Sequence, residues 1–230
     1  PALKPYAATL RVSDRAPLGE AAPGEETMVC DLADAAAMTN CPIVGGDLTR
    51  APQVSVAVTV MGETPGKGSV LRSGARPGDT IFVTGPLGRS AAGLRRRRDG
   101  APLDDPLVVA HRRPWPRLDE GLAARHAGVN AMMDLSDGLG IDFHRLADAS
   151  QVGFVLTQLP IAEGCTEYEA VGGGEDYELV MTTAEPERLL DMFQRRNLRE
   201  PIAIGLVVKD PAVRTLRDEP MPRSGWQHEL

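Results

Sequence analysis

Cysteine is scarce in this sequence, and its three residues suit neither a disulfide framework nor a cysteine zinc site. Cys30, Cys41 and Cys165 lie far apart, with no Cys-x-x-Cys pair, which indicates reduced, buried thiols. Long apolar runs are also missing, because none approaches the roughly 20 residues that a membrane-spanning helix needs, and no signal peptide is evident. We therefore expect a cytoplasmic protein without a membrane partner.

An excess of positive charge is missing as well. Asp and Glu number 32 against 25 Lys and Arg, which gives a formal net charge of -7. Nucleic-acid-binding proteins need a cationic face to displace phosphate counterions, so this composition argues against a nucleic-acid partner. An anionic ligand would have to be held locally, by arginines, helix N-termini or bridging metal ions.

Two familiar phosphate-binding motifs are absent. The chain has no Gly-x-x-x-x-Gly-Lys-Ser/Thr sequence, which excludes a P-loop, and no glycine-rich protein-kinase loop with its Lys and His-Arg-Asp partners. None of the four histidines has a metal-site or nucleophile spacing, so we interpret all four as structural. Any phosphate site must therefore be built from other residues.

The apolar pattern alternates between strand and helix periods, which predicts a mixed α/β or α+β fold. A stretch rich in glycine and proline, residues 62–78, predicts a junction between a domain at residues 1–66 and another at residues 67–230. Strands are predicted over residues 42–44, 54–61, 80–84, 131–135, 153–156, 178–182 and 203–208, and helices over residues 25–40, 89–98, 120–127 and 186–196. A further helix is predicted to begin with Ser136 or Asp137 as its cap.

Three clusters that combine glycine with aspartate stand at predicted element boundaries. They are Gly45-Gly46-Asp47, Asp134-Leu135-Ser136-Asp137-Gly138 and Gly172-Gly173-Gly174-Glu175-Asp176. Glycine lets backbone N–H groups approach phosphate oxygens, and carboxylates are ligands that Mg²⁺ prefers. Each cluster alone also suits an ordinary turn, a capped helix start or a flexible loop. Their coincidence at strand ends predicts a metal and nucleotide site.

Two further features have two interpretations each, and a third has one. Arg72 suits a phosphate clamp, because guanidinium pairs with phosphate in a fork, or an ordinary solvated loop arginine. Trp226, close to the C-terminus, is either an anchor that docks the tail or a stacking platform for a planar ligand. The run of four arginines at residues 95–98 is best interpreted as the exposed end of a helix.

Taken together, five motifs resemble those of thiamine-monophosphate kinases in order and approximate spacing. They are Gly45-Gly46-Asp47-Leu48-Thr49-Arg50, Leu71-Arg72-Ser73-Gly74-Ala75, Asp134-Leu135-Ser136-Asp137-Gly138-Leu139, Gly173-Gly174-Glu175-Asp176-Tyr177-Glu178-Leu179 and Gly225-Trp226-Gln227-His228. The resemblance covers the chain from about Asp31 onward. It implies the two-domain fold of the aminoimidazole-ribonucleotide synthetase-like superfamily, with a partial N-terminal ATP- and magnesium-binding domain that dimerises and a C-terminal α+β domain.

The resemblance also implies roles for individual residues. Gly46, Asp47, Arg72 and Ser136 would contact ATP, Asp47, Asp134 and Asp137 would bind Mg²⁺, and Glu175 and Trp226 would hold thiamine monophosphate. The implied reaction is direct in-line transfer of the ATP γ-phosphoryl group to thiamine monophosphate, with no covalent catalytic residue, in a homodimer.

The sequence departs from the family at one point. Family members carry an earlier acidic segment with an Asp-Asp pair, and no residue before Asp31 matches it. We expect that this segment is omitted from the sequence rather than lost. Two other functions stay open, namely another ATP-dependent enzyme of the superfamily and a non-catalytic homodimer that binds nucleotide or thiamine phosphate. The Trp226 tail and the string that ends in Tyr177-Glu178-Leu179 favour the kinase.

Overall fold

The structure is a computed structural model, which describes residues 5–14, 33–50, 55–62 and 68–227. The chain divides into two compact units, Pro1–Ser69 and Val70–Leu230. The assignment of the first unit as an ATP-binding and dimerisation domain stays a prediction. In the part of the chain described, no helix is both long and apolar enough to cross a membrane.

The first unit contains a three-stranded sheet in the order β2-β1-β3. Its strands are β1 (Pro5–Asp14), β2 (Ile43–Arg50) and β3 (Ser55–Gly62), and β1 pairs parallel with β2 and antiparallel with β3. Helix α1 includes residues 33–38, which fall inside the helix predicted over residues 25–40.

One prediction about this sheet is wrong. Gly45-Gly46-Asp47 does not follow a short strand, because β2 continues through these residues to Arg50. Gly46 is paired with Leu10 and Asp47 with Arg11. Glycine usually marks the end of a strand, but hydrogen-bond pairing with a neighbouring strand overrides that local preference.

The second unit is built on a seven-stranded sheet in the order β10-β9-β6-β8-β4-β7-β5. Its strands are β4 (Thr80–Val83), β5 (Ala131–Asp134), β6 (Gly153–Leu156), β7 (Leu179–Thr183), β8 (Ile202–Val208), β9 (Arg214–Leu216) and β10 (Glu219–Pro220). The β6–β9 pair is parallel and the other pairs are antiparallel. The mixed fold class predicted from the sequence is therefore confirmed.

Helices cover both faces of this sheet. They are α2 (Arg89–Arg98), α3 (Pro106–Arg112), α4 (Leu118–Ala127), α5 (Leu139–Ser150), α6 (Glu167–Gly172) and α7 (Pro186–Arg195). Successive strand residues point to opposite faces. Accordingly, Ile81 and Val83 of β4 join the core that contains α5 and α6, whereas Phe82 joins the core that contains α4 and α7.

Several predicted bounds match and others do not. The bounds of α2 and β6 are those predicted, and the arginines at the end of α2 are exposed as expected. Helices α3 and α6 and strands β9 and β10 have no counterpart in the prediction. The prediction that Ser136 or Asp137 caps α5 is also wrong. The N-cap residue is Gly138, which has no side chain that could cap the helix.

Candidate active site

Two loops of the second unit are joined by backbone hydrogen bonds. The loop after β5 contains Leu135 and Ser136, and the loop before β7 contains Glu175 and Tyr177. The Glu175 N–H donates to the Ser136 carbonyl at 2.8 Å, and the Tyr177 N–H donates to the Leu135 carbonyl at 3.0 Å. These bonds place two of the three glycine–aspartate clusters side by side.

Glycine makes this close approach possible at two positions. A Cβ on Gly174 would lie 2.7 Å from the Ser136 carbonyl oxygen, and a Cβ on Gly225 would lie 2.5 Å from the Asp137 carbonyl oxygen. Both distances are shorter than a carbon–oxygen contact allows. The C-terminal segment is therefore able to reach the same loop, where the Trp226 N–H donates to the Asp137 carbonyl at 2.9 Å.

These three segments surround a cavity of about 470 Å³. Its described lining combines apolar side chains of α2 with polar and aromatic side chains of the loops, namely Ser90, Ala91, Leu94, His111, Ser136, Asp137, Gly174, Glu175, Tyr177 and Trp226. Four predicted site residues, Ser136, Asp137, Glu175 and Trp226, therefore line one pocket. Trp226 is 63% exposed.

The loop that carries Asp137 is held by a carboxylate from inside α5. Asp142 is fully buried, and its Oδ2 accepts hydrogen bonds from the N–H groups of Asp137 at 2.7 Å and Gly138 at 3.1 Å. Arg145 pairs with both Asp137 and Asp142. Burial raises the pKa of Asp142 above its ordinary value. This support replaces the side-chain cap that the sequence predicted, and it fixes the direction of the Asp137 carboxylate.

The loop before β7 is held by a second carboxylate. Asp176 accepts hydrogen bonds from the N–H groups of Gly88 at 2.6 Å and Ser90 at 2.9 Å, which begin α2. Burial raises the pKa of Asp176, although the backbone donors act in the opposite direction. The neighbours Glu175 and Tyr177 have left-handed backbone angles, φ 64 and 50. Non-glycine residues rarely adopt this conformation, so the surrounding bonds must maintain it.

A buried ion-pair network is centred on Glu178, the residue that follows Tyr177 in the chain. Glu178 is 2% exposed and accepts bonds from Arg117 at 2.7 and 2.9 Å, from Arg199 at 3.0 and 3.2 Å and from Thr84 at 2.5 Å. Burial alone would raise the pKa of Glu178, but the bonds from Arg117 and Thr84 outweigh it and hold the pKa below its ordinary value. The network anchors the start of β7.

Three carboxylates lie near Tyr177 at the pocket. Burial raises the pKa of Tyr177, and the negative charges of Glu175, Asp134 and Asp137 raise it further, so all three lie within electrostatic reach of its hydroxyl. Among the described residues, no three acidic, histidine or cysteine side chains converge closely enough to hold a metal alone. Mg²⁺ commonly takes one or two carboxylates and completes its shell with water and phosphate oxygens.

The remaining predicted site residues lie elsewhere. Gly46 and Asp47 belong to β2 of the first unit, and their roles stay predictions. Arg72 is exposed, does not belong to the described lining of this pocket, and accepts a hydrogen bond at its carbonyl from the Ser150 hydroxyl at 2.8 Å. Asp134 ends β5 and is exposed. Of the residues that sequence reasoning missed, His111 is the most informative, because it lines the pocket.

Comparisons with known proteins agree with this geometry. The family described as AIR synthase related protein, C-terminal domain, matches residues 76–217. The thiamine-monophosphate kinase of Escherichia coli (strain K12) is 39% identical over 161 residues, which cover 64% of this chain and 49% of the relative. That of Mycobacterium tuberculosis (strain CDC 1551 / Oshkosh) is 36% identical over 190 residues, which cover 80% of this chain and 57% of the relative. The chain thus spans about half the length of the curated relatives it matches.

A solved structure is similar over almost the whole chain. AaThiL complexed with AMPPCP and TMP matches with a TM-score of 0.82 at 28% identity, over 99% of this chain and 75% of that one. The resemblance inferred from the five motifs is confirmed by these relatives. Since the family match extends over more than half of the chain, the chain belongs to the AIR synthase related family, with thiamine-monophosphate kinases among its relatives.

Proposed function

We propose that this chain is part of a kinase that transfers the γ-phosphoryl group of ATP to thiamine monophosphate and so forms thiamine diphosphate. The observation that carries the proposal is the pocket in which Trp226, Glu175 and Asp137 line one cavity of about 470 Å³. An aromatic ring, a carboxylate for a cationic ligand and a metal-binding carboxylate are the groups that this pair of substrates requires. The kinases among the relatives support the same activity.

The pocket's own residues account for recognition of the thiamine group. Trp226 is largely exposed, and its indole would stack on a flat cationic heterocycle, a contact that cation–π attraction strengthens. Glu175 supplies a negative charge at the same cavity, with its side chain 58% exposed. This carboxylate would attract the ligand's positive charge and accept hydrogen bonds from its donors.

The phosphate groups would be held by residues of the second unit. Asp134 and Asp137 would hold Mg²⁺, and Arg72 and Ser136 would contact ATP. When bound, Mg²⁺ neutralises phosphate charge during transfer. The chain's contribution is alignment, because Arg145 and Asp142 fix the Asp137 loop before any ligand arrives. In-line transfer then needs positioning and electrostatic stabilisation rather than a covalent nucleophile.

We also propose a homodimer, on the basis of the exposed valines of β3. Val56, Val58 and Val60 alternate along the strand and are 44%, 51% and 66% exposed. Residues i, i+2 and i+4 of a strand share one face, so these side chains form an apolar stripe. Such stripes are rarely left in water and mark interaction surfaces.

A substrate panel tests the proposed activity. ADP release would be measured with Mg²⁺, ATP and one acceptor at a time: thiamine monophosphate, thiamine, formylglycinamidine ribonucleotide or selenide. We expect release with thiamine monophosphate alone, because the pocket combines an aromatic platform with carboxylates and the acceptor must itself carry a phosphate. Release with one of the last two acceptors, and none with thiamine monophosphate, would assign the chain to another activity of the superfamily.

A further inference from the structure

A histidine that the proposed function does not use lies beside the predicted substrate carboxylate. His111 is in the last turn of α3, and its side chain is 23% exposed. Its Nδ1 lies 2.9 Å from the Ser90 hydroxyl oxygen and 3.7 Å from Oε2 of Glu175. The second distance is within ion-pair range but too long for a hydrogen bond. His111 therefore connects the wall of the pocket to Glu175.

The packing of α2 against α3 fixes the position of His111. Helices α2 and α3 approach each other closely at Gly93, where a Cβ would lie 2.0 Å from the Leu107 carbonyl oxygen and 2.9 Å from Cβ of His111. Ser90, the hydrogen-bond partner of His111, is 2% exposed. Its own N–H is held by Asp176 at 2.9 Å. The imidazole is therefore held by Ser90, which is itself held by Asp176, the residue that follows Glu175 in the chain.

Glu175 itself has much less support for its side chain. The bond from its N–H to Ser136 fixes the backbone, but its side chain is 58% exposed. An exposed glutamate loses rotamer entropy when a ligand immobilises it. A neighbouring imidazole that restricts the carboxylate beforehand reduces this loss and strengthens binding.

We infer that His111 is a positioning residue that orients Glu175 and so sets the enzyme's preference for a cationic, amino-substituted heterocycle over ligands without that group. The inference rests on the proposed function, since it assigns Glu175 to the thiamine group. The hydrogen bond of Nδ1 is with the Ser90 hydroxyl, and Oε2 of Glu175 lies in ion-pair range of the same nitrogen at 3.7 Å, so Oε1 is left to accept from the ligand. His111 acts through Glu175 and is not itself a catalytic residue.

The matched variants are His111→Asn and His111→Gln. The side-chain amide of asparagine occupies about the position of Nδ1, whereas that of glutamine occupies about the position of Nε2. Because Nδ1 makes the contacts, we expect His111→Gln to raise the KM for thiamine monophosphate about tenfold. The KM for ATP and kcat should change less than about twofold, and His111→Asn should stay within about threefold of wild type. Circular dichroism checks that all variants fold.

A double-mutant cycle with Glu175→Ala separates positioning from other roles. If His111 acts through Glu175, His111→Gln should add less than about twofold in the Glu175→Ala background. The dissociation constants of thiamine monophosphate and ATP, measured by calorimetry for every variant, provide a readout that does not depend on turnover.

The possible outcomes distinguish the two proposals. Turnover by wild type with independent, multiplicative effects of the two substitutions, or equal damage from His111→Asn and His111→Gln, would overturn the inference and leave the kinase intact. Binding that follows the predicted pattern without any turnover would support the inference and overturn the kinase. Absence of thiamine monophosphate binding by wild type would overturn both.

Discussion

Replacing Glu178 by alanine should destabilise the second unit strongly, because this carboxylate is the centre of the buried ion-pair network. Its two oxygens accept hydrogen bonds from Arg117, Arg199 and Thr84 while only 2% of the residue is exposed. Truncation leaves the two guanidinium groups without their shared counter-charge. Breaking a buried pair in this way costs about 3–5 kcal/mol.

Side-chain exposure and two comparison variants refine the expected loss of folding stability. The side chain of Arg117 is 16% exposed and that of Arg199 is 42% exposed, so Arg199 can turn to water and the loss should lie near the lower limit, about 3 kcal/mol. Glu178→Gln keeps an acceptor oxygen and the side-chain volume, so about half of that loss is expected. The matched control is Glu185→Ala, which removes the 3.0 Å ion pair with Arg188. Both of its side chains are more than half exposed, and the expected change is within about 1 kcal/mol.

The pH dependence has a definite sign. The pKa of Glu178 is lower in the folded protein than its ordinary value of 4.5, so its ionised form contributes stability at higher pH. That contribution is lost as the pH falls below about 4.5 and through the lowered pKa of the folded state. The difference in stability between wild type and Glu178→Gln should therefore be constant near neutral pH and shrink in acid.

Urea unfolding followed by circular dichroism at several pH values measures these differences. For a unit of this size, a loss of about 3 kcal/mol also lowers the melting temperature by roughly 6–12 °C. If Glu178→Ala changed stability by no more than the exposed control, or if the difference from Glu178→Gln grew in acid, the network would not be the anchor that the structure indicates.

Three further substitutions test other parts of the site, and a fourth, Gly121→Ala, is the control for Gly174→Ala. Trp226→Ala should weaken thiamine monophosphate about tenfold and ATP less than about twofold in calorimetric titrations, and equal losses would indicate a structural tail. Asp137→Asn should lower kcat at least about 100-fold with an unchanged circular dichroism spectrum, and a near-normal rate would refute the metal assignment. Gly174→Ala should reduce both stability and substrate affinity, because its Cβ would lie 2.7 Å from the Ser136 carbonyl oxygen. Gly121→Ala, whose nearest contact would be 3.4 Å, should be neutral or stabilising by up to about 1 kcal/mol in the same unfolding assay.

Local patterns predicted a large part of the second unit. The arginine-rich helix at Arg89–Arg98 and the strand at Gly153–Leu156 have the predicted bounds, because turn residues border both. Helix α6 was missed although its signal was present. Thr166 and Glu169 form a reciprocal capping box, which is a recognisable start signal, but the glycines at residues 172–174 favour a loop in the same segment.

For the site, the sequence predicted the local motifs but not the contacts between distant segments. The glycine–aspartate clusters predicted a metal and nucleotide site, and the family resemblance implied that Asp137 binds metal and Glu175 binds substrate; both residues line one pocket. His111 lies 64 positions from Glu175 in the sequence and comes near it only through the packing of α3 on α2. A single histidine without a local motif carries no signal for such a contact, so tertiary structure was needed to find it.

The most direct test of the central claim is transfer of label from γ-labelled ATP to thiamine monophosphate by the purified protein. The account predicts labelled thiamine diphosphate that forms with Mg²⁺, disappears when the metal is chelated and falls at least about 100-fold in Asp137→Asn. Labelled inorganic phosphate without labelled thiamine diphosphate, or transfer that is indifferent both to Mg²⁺ and to Asp137, would contradict it.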